Sequence, residues 1–413
     1  MNRLLVLSLL LLATTSIYST EGLRTLPDSA EAIGLAGGRL ILLDDASVAR
    51  TNPASLTRIE DTMYQVTYQG WHGKTDYTRA NGASESMVVP WKHLGSLYVA
   101  HPLNDKMTAG LGLTAPFGVS INWERLGVFR YTGAYDATLQ TIAINPSLGL
   151  KINDQVSIGF GLDVYRSKLR LEQRFPWAIV PPAAARPDGD AIFDGSGWGV
   201  GGYVGLNFDF GENQRHHLAI VGRLPVSVDY EGRFSITHVP AGFPFSPTSD
   251  FSSEIEHPGN VAVGYGYDVS EKLSVAFDFE WIQNSTHDDL PLNIGGNQAL
   301  LAGTNALPMN WDDSVSMGFG FEYKASDQWT IRGGYLYSDN PGNQRTYNPS
   351  LPIDDRHILS AGVSYTWGLN TIDFAYSKLF MDASNIQGNV QPAFNGTYDY
   401  DWDILTVTFQ RRF

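Results

Sequence analysis

Hydrophobic and polar residues alternate along much of the chain with the two-residue period of a β-strand. Residues 273–281 show this alternation plainly: Leu273, Val275, Phe277, Phe279 and Trp281 share one face, and Ser274, Ala276, Asp278 and Glu280 share the other. The same division recurs in residues 261–269 and 316–323. Strands of about ten residues with one apolar and one polar face are typical of the wall of a transmembrane barrel. We therefore expect the apolar face to contact lipid and the polar face to line a lumen.

The connections between these strands alternate between short and long. Short turns are predicted at residues 153–155, 211–214, 270–272, 325–327 and 368–370. Long polar or Pro/Gly-rich stretches are predicted at residues 174–196, 236–259, 284–313, 339–356 and 381–401. Short periplasmic turns and long outer loops are typical of a bacterial outer-membrane barrel, whereas a soluble sandwich or propeller has no reason to keep this alternation.

The predicted fold class is all-β: a transmembrane antiparallel β-barrel of about 14 strands over residues 61–413, with 12 or 16 strands left open. Residues 1–20 have the charged start, apolar core and small-residue end of a secretory signal peptide. Residues 21–60 do not alternate, and they carry helix-start signals at Asp28-Ser29 and Asp44-Asp45. This segment is too short to fold alone, so we expect it to form a hatch, or plug, inside the lumen.

The chain ends in a strand whose last residue is Phe413. In a closed barrel the last strand pairs with the first, so a lipid-facing aromatic at this position lies at the membrane interface. We interpret Phe413 as an assembly signal.

Composition narrows the possible functions. The chain has 0 Cys, which excludes thiolate chemistry, and a net charge of -15 without a basic cluster, which argues against a nucleic-acid partner. No stretch offers the roughly 20 apolar residues of a transmembrane helix, so strands must span the membrane. We expect localisation in the outer membrane of a Gram-negative bacterium.

Several motifs suggest chemistry but lack its context. The glycine-rich stretch at residues 197–202 fits a dinucleotide pattern, but it lies inside a predicted strand, which favours packing. His287 with its acidic neighbours and His216–His217 lack ligands at a recognised metal spacing, and we interpret them as surface loop and turn residues. Residues 354–357 lack a nucleophile elbow and are interpreted as a charge cluster at a loop base. We predict no catalytic residue, no metal site and no cofactor.

One N-terminal stretch resembles a known family. Residues 44–56 contain Asp44-Asp45-Ala46 and Asn52-Pro53-Ala54, which resemble the hatch motifs of the FadL family of outer-membrane transporters for long-chain fatty acids and other hydrophobic molecules. Weaker matches follow in the family's order at residues 115–118, 145–147, 197–201 and 351–357. The resemblance covers essentially the whole mature chain.

The resemblance implies a barrel plugged by the hatch, a hydrophobic pocket, and a gap in the wall at an inward kink of an early strand. Proline cannot donate to the ladder and glycine permits a bend, so the best kink candidates are Gly110, Gly112, Pro116, Phe117 and Gly118. An ordinary glycine-rich strand end followed by a turn is the alternative. By resemblance, Leu23 is expected to reach into the pocket, and Arg174 and Asp339 to meet a ligand headgroup.

The leading hypothesis is passive uptake of long-chain fatty acids or other hydrophobic compounds, with lateral exit through the kinked strand. The expected partners are the hydrophobic ligand, outer-membrane lipid and lipopolysaccharide, and the barrel-assembly machinery. The alternatives are a general diffusion porin, an outer-membrane enzyme, and a related barrel that acts as a secretion or assembly partner. A porin needs no hatch, and an enzyme should carry a catalytic set at the barrel rim.

Overall fold

The chain forms a closed antiparallel barrel of 14 strands, which confirms the predicted fold class. The computed structural model describes residues 23–26, 28–180, 186–301 and 305–413, so the predicted signal peptide lies outside the described residues. The wall strands are β1 (Met63–Thr78), β2 (Trp91–Asn104), β3 (Met107–Asn122), β4 (Asp136–Lys151), β5 (Val156–Phe175), β6 (Gly189–Phe210), β7 (His216–Arg223 and Val226–Ile236), β8 (Thr248–His257 and Asn260–Asp268), β9 (Leu273–Ile282), β10 (Ser314–Lys324), β11 (Trp329–Ser338), β12 (Arg356–Trp367), β13 (Asn370–Met381) and β14 (Gly396–Arg412). Short additional strands cover Ser84–Ser86, Asp289–Pro291, Asn293–Ile294, Ala306–Pro308 and Ser384–Ile386.

The first and last strands close the barrel. β1 pairs with β14 from Met63 opposite Arg412 to Thr78 opposite Thr397. Side chains alternate across the wall as expected: Phe277 and Phe279 are exposed on the outer surface, while Asp278 between them is buried inside. The period-2 pattern therefore assigned the two faces correctly.

The strands extend further than the alternation predicted. β5 continues to Phe175 and β6 begins at Gly189, so the predicted loop at residues 174–196 was too long. The predicted loop at 236–259 likewise contains the first segment of β8. Beyond the lipid layer both faces of a strand meet polar surroundings. The alternation of apolar and polar residues therefore ends there, although the strand and its hydrogen-bonded ladder continue. The outward pair Arg170–Asp194, with 2.5 Å between nitrogen and oxygen, lies in such an extension.

The N-terminal segment lies inside the barrel as a chain of short helices. They are α1 (Ala30–Leu35), α2 (Arg39–Leu42) and α3 (Val48–Thr51), followed by a 3₁₀ helix at Pro53–Arg58. Ser29 caps α1 by accepting a hydrogen bond from the backbone N–H of Ala32, which agrees with the predicted helix start. Within the described residues, no helix has both the length and the apolarity to cross a membrane. Further 3₁₀ turns lie in the connections, at Trp177–Ile179, Glu212–Gln214, Asn284–Thr286, Gln298–Leu301 and Pro392–Phe394.

Wall glycines let the hatch approach the strands closely. A Cβ on Gly334 would lie 1.7 Å from the carbonyl oxygen of Leu35, and one on Gly320 would lie 2.1 Å from that of Gly37. No side chain fits at these positions, so the backbone of α1 and its exit turn rests directly on the inner wall.

The glycines at residues 197–202 serve packing. Residues 191–196 of β6 pair with the second segment of β7, and residues 203–210 of β6 pair with its first segment. Between these ladders a Cβ on Gly197 would lie 2.0 Å from the carbonyl oxygen of Asp229. The strand therefore needs glycine where Pro225 bends its neighbour, and no βαβ unit is present in the described residues.

Candidate functional site

Charged side chains connect the hatch to the wall. Arg332 on β11 lies 3.5 Å from Glu31 on α1 and 2.8 Å from Glu322 on β10. Arg50 lies 3.6 Å from Asp28, which also accepts a hydrogen bond of 2.8 Å from the hydroxyl of Tyr98 on β2. The contacts of Asp28 and Glu31 fix the start of the helical segment to the barrel, and the pair Arg50–Asp28 joins α3 to that start.

The Asp44–Asp45 motif acts mainly through its second residue. Asp44 is exposed, whereas Asp45 is buried and accepts hydrogen bonds from the backbone N–H and the hydroxyl of Ser47 and from the amide of Gln65 on β1. Burial raises the pKa of the Asp45 carboxyl to about 6, although the hydrogen bonds from Ser47 oppose the rise. Asp45 thereby joins the start of α3 to the wall.

The second motif, Asn52-Pro53-Ala54, lies against wall glycines. The Asn52 side chain accepts a hydrogen bond from the N–H of Ala54 at 3.2 Å and donates one to the carbonyl of Leu40 at 3.2 Å. A Cβ on Gly159 would lie 2.2 Å from the carbonyl carbon of Pro53. The motif thus forms a compact corner that fits a glycine groove in the wall.

The wall ladder is interrupted between β2 and β3. These strands pair only from Leu97 opposite Leu113 to Asn104 opposite Met107. Above Leu113, β3 continues to pair with β4, with a register shift between Thr114 and Phe117. The edge of β3 that faces β2 therefore has no ladder partner in β2 over residues 114–122.

The N-terminal segment covers this unpaired edge from inside. Arg24 and Phe117 form an antiparallel bridge. The N–H of Thr25 donates to the carbonyl of Pro116 at 3.0 Å, and the N–H of Gly118 donates to the carbonyl of Leu23 at 2.9 Å. These bonds satisfy backbone groups of β3 that would otherwise be exposed within the membrane.

Gly110 and Gly112 lie below the interruption and have a different role. A Cβ on Gly110 would lie 2.8 Å from the Cβ of Ala49, and a Cβ on Gly112 would lie 2.7 Å from the ring of Tyr98. Both glycines give space to the hatch and its contact residue. Among the candidate kink residues, Pro116, Phe117 and Gly118 are those at the interruption itself.

A cavity of about 880 Å³ extends from the outer loops to this interruption. Its inner wall is apolar and comes from several strands, and Leu23 and Val119 line the end near β3. The strand residues that line it include Ala137, Leu139, Leu169, Leu171, Ala191, Phe193, Phe234 and Ile255. A mostly apolar cavity of this size is typical of sites for small hydrophobic ligands.

Arg174 and Asp339, which the resemblance placed together at a ligand headgroup, have different surroundings in the structure. Arg174 lines the cavity, together with Leu23, and lies 2.9 Å from Asp190 and 3.4 Å from Asp188. Asp339 is not among the described residues that line it. Its carboxylate instead accepts a hydrogen bond of 2.6 Å from the N–H of Val315, which joins β10 and β11.

Sequence reasoning missed the contribution of the long connection predicted at residues 284–313. It was interpreted as a polar outer loop, but Leu290, Leu292, Leu300, Leu301, Leu307 and Met309 line the cavity. His287, interpreted as a surface residue, is only 3% exposed and also lines the cavity. A connection that faced water on all sides would rarely contain so many leucines. Their number was the sequence feature that could have indicated a buried lining.

The chain matches a known family over almost its entire length. The family model described as "Outer membrane protein transport protein (OMPP1/FadL/TodX)" matches residues 11–413. A long-chain fatty acid transport protein of Escherichia coli (strain CFT073) is 24% identical over 376 residues, which cover 82% of this chain and 82% of that protein. A 47 kDa outer membrane protein of Pasteurella multocida is 23% identical over 377 residues and covers 85% of each chain.

Solved structures share the fold. The crystal structure of a Pseudomonas aeruginosa FadL homologue superimposes with a TM-score of 0.82 at 20% identity, covering 95% of this chain and 100% of that one. The Pseudomonas putida toluene transporter TodX superimposes with a TM-score of 0.71 at 16% identity, covering 90% and 95%. At this identity the likeness concerns the fold alone.

Proposed function

Because the chain belongs to the outer membrane protein transport protein family (OMPP1/FadL/TodX), we propose that it takes up long-chain fatty acids or other hydrophobic compounds passively across the outer membrane. The relatives named as long-chain fatty acid and toluene transporters support this substrate range. The chain is an outer-membrane protein. Contact with lipopolysaccharide and insertion by the barrel-assembly machinery belong to the same proposal.

The first step is binding in the cavity of about 880 Å³. An apolar solute gains about 0.8 kcal/mol for each methylene that it removes from water, so the leucine-rich lining supplies the driving force. No energy source is required, because the ligand moves from water into an apolar cavity and from there into lipid. A wide aqueous lumen would lack this driving force.

The second step is sideways release between β2 and β3. The observation that carries it is the coincidence of three features: the cavity ends at Leu23 and Val119, the ladder stops above Leu113, and residues 23–25 cover the open edge. Movement of this short segment would join the cavity to the lipid without opening the rest of the hatch. The ligand would then never return to water.

A reversible crosslink tests this route. In the bridge between Arg24 and Phe117, the neighbouring residues exchange the hydrogen bonds, so the two residues form a non-hydrogen-bonded pair. Such pairs have Cα atoms about 4.5 Å apart, which suits a disulfide. The chain has 0 Cys, so the double variant Arg24→Cys with Phe117→Cys introduces one defined bond.

We expect the oxidised double variant to bind ligand from outside but to lose uptake in cells, and a reductant to restore uptake. The two single-cysteine variants are matched controls, because they lose the same side chains without the crosslink. Unchanged uptake in the oxidised, correctly folded variant would exclude exit at this position and favour passage through the hatch. Absence of both binding and uptake in the unaltered protein would refute the transport function itself.

A further inference from the structure

A buried histidine lies in the apolar lining of the cavity. His287 follows the 3₁₀ turn Asn284–Thr286 and is only 3% exposed. Its Nδ1 lies 3.2 Å from the carbonyl oxygen of Asn284. A carbonyl can only accept, so Nδ1 carries the proton and donates. In the neutral ring, Nε2 is then an acceptor.

The Nε2 atom of His287 has no hydrogen-bond partner among the described residues and is fully buried, so a ligand hydroxyl reaches it only when the lining side chains around it move. The ring packs against Trp311, with 4.9 Å between ring centroids, and the cavity next to it is lined by Leu290 and Met309. Burial lowers the pKa of His287 to about 4, so the ring is uncharged at neutral pH. An unpaired buried acceptor is costly, and a ligand that donates a hydrogen bond would remove that cost.

The charges around the cavity disfavour an anionic headgroup. Arg174 is the only Lys or Arg among the described residues of the lining, and Asp188 and Asp190 already neutralise it. Asp288 and Asp289, next to His287, are also part of the lining. A carboxylate here would meet acidic side chains and a histidine lone pair, whereas a hydroxyl would meet an acceptor that it can satisfy.

We propose that His287 Nε2 binds the hydroxyl group of an uncharged amphipathic ligand, such as an aliphatic alcohol or an alkylphenol, whose apolar part occupies the leucine-rich cavity. This inference rests on the proposed function, because it concerns the same cavity. It adds a polar selection step: the cavity favours a neutral molecule with one hydrogen-bond donor over the carboxylate of equal chain length. A neutral molecule without a donor binds through its apolar part alone.

Three ligands of equal chain length test the proposal: 1-decanol, decane and decanoate, each radiolabelled and bound to the purified full-length protein in lipid nanodiscs, with empty nanodiscs subtracted. We expect 1-decanol to bind more tightly than decanoate. The substitution His287→Phe should weaken 1-decanol binding about tenfold, because one buried hydrogen bond is lost, and leave decane binding within about twofold. His287→Gln retains an acceptor and should keep part of the preference.

His101→Phe is the control, because His101 lies exposed on β2, bonded to Thr62, and is not among the described residues that line the cavity. We expect it to leave the ratio of 1-decanol to decane binding unchanged. Tighter binding of decanoate than of 1-decanol, or equal losses of 1-decanol and decane in His287→Phe, would overturn the proposal while leaving the transport function intact. If none of the three ligands binds, the hydroxyl proposal fails, and the transport function is decided separately by binding and uptake of a long-chain fatty acid. The comparison of the ligands on the unaltered protein decides the charge preference even if a variant does not fold.

Discussion

Arg332 in the barrel wall lies 3.5 Å from Glu31 in the first hatch helix, and both side chains are buried. Glu322 on the neighbouring strand lies 2.8 Å from the same guanidinium, so one wall cation holds two carboxylates. Wall and hatch are therefore coupled electrostatically as well as by glycine contacts. The first two predictions address these two kinds of contact separately.

We expect Arg332→Gln to loosen the hatch. The change leaves Glu31 and Glu322 without their cation, and removal of one partner of a buried pair costs about 3–5 kcal/mol. In planar bilayers the variant should show a raised and fluctuating conductance, whereas the unaltered protein should conduct little. Arg233→Gln removes an exposed arginine of the wall and should leave conductance unchanged. If the conductance of Arg332→Gln equalled that of the unaltered protein, the ion pairs would not be what retains the plug.

We expect Gly334→Val to displace α1 from the wall. A Cβ at this position would lie 1.7 Å from the backbone oxygen of Leu35, and backbone cannot move aside as a flexible side chain can. Conductance should rise toward that of an open pore while the barrel still assembles. Gly222→Val is the matched control, because a Cβ there meets no atom within 4 Å. Equal conductance of the two variants would contradict the plugging role of residues 30–37.

Substitution of the hatch corner should have a milder effect. Asn52→Ala combined with Pro53→Ala removes the cap on the N–H of Ala54 and the bond to the carbonyl of Leu40. Loss of a cap costs about 0.5–2 kcal/mol, so we expect impaired uptake with normal assembly. Quantitative uptake assays beside heat-modifiability gels separate the two effects. Normal uptake would mean that the corner has no part in transport.

The alternating sequence predicted the wall and its faces because lipid and lumen impose opposite requirements on successive residues. The alternation could not show which residues of distant strands lie next to each other in the closed barrel. From the sequence, Arg174 and Asp339 both lie near predicted strand–loop junctions, but only the folded ring shows that Arg174 faces the cavity while Asp339 bonds to Val315. The burial of His287 was equally invisible, because it depends on Trp311 and the leucines of a connection without regular alternation.

Glycine positions show a related limit. Gly112 was a candidate kink residue because glycine permits a bend, but the structure places the Tyr98 ring where its side chain would be. Gly112→Val would therefore disturb Tyr98 and its hydrogen bond to Asp28 instead of straightening β3. Sequence alone cannot distinguish a glycine that bends a strand from one that makes space for a neighbour.

Deletion of Phe413 should reduce assembly and leave transport intact. Its N–H donates to the carbonyl of Thr62 at 3.0 Å, and its ring meets that of Tyr64 edge to face at 5.2 Å, on the outer surface of the barrel. Both contacts lie where the first and last strands close the ring, on the outer surface, whereas the cavity-lining residues face the inside of the barrel. We expect less folded protein in the outer membrane, measured by heat-modifiability, with unchanged uptake per folded molecule. Phe413→Tyr retains the aromatic ring and should assemble nearly normally. Full assembly of the deletion variant would show that strand closure alone guides insertion, and a lower uptake per molecule would link this end of the barrel to the transport path.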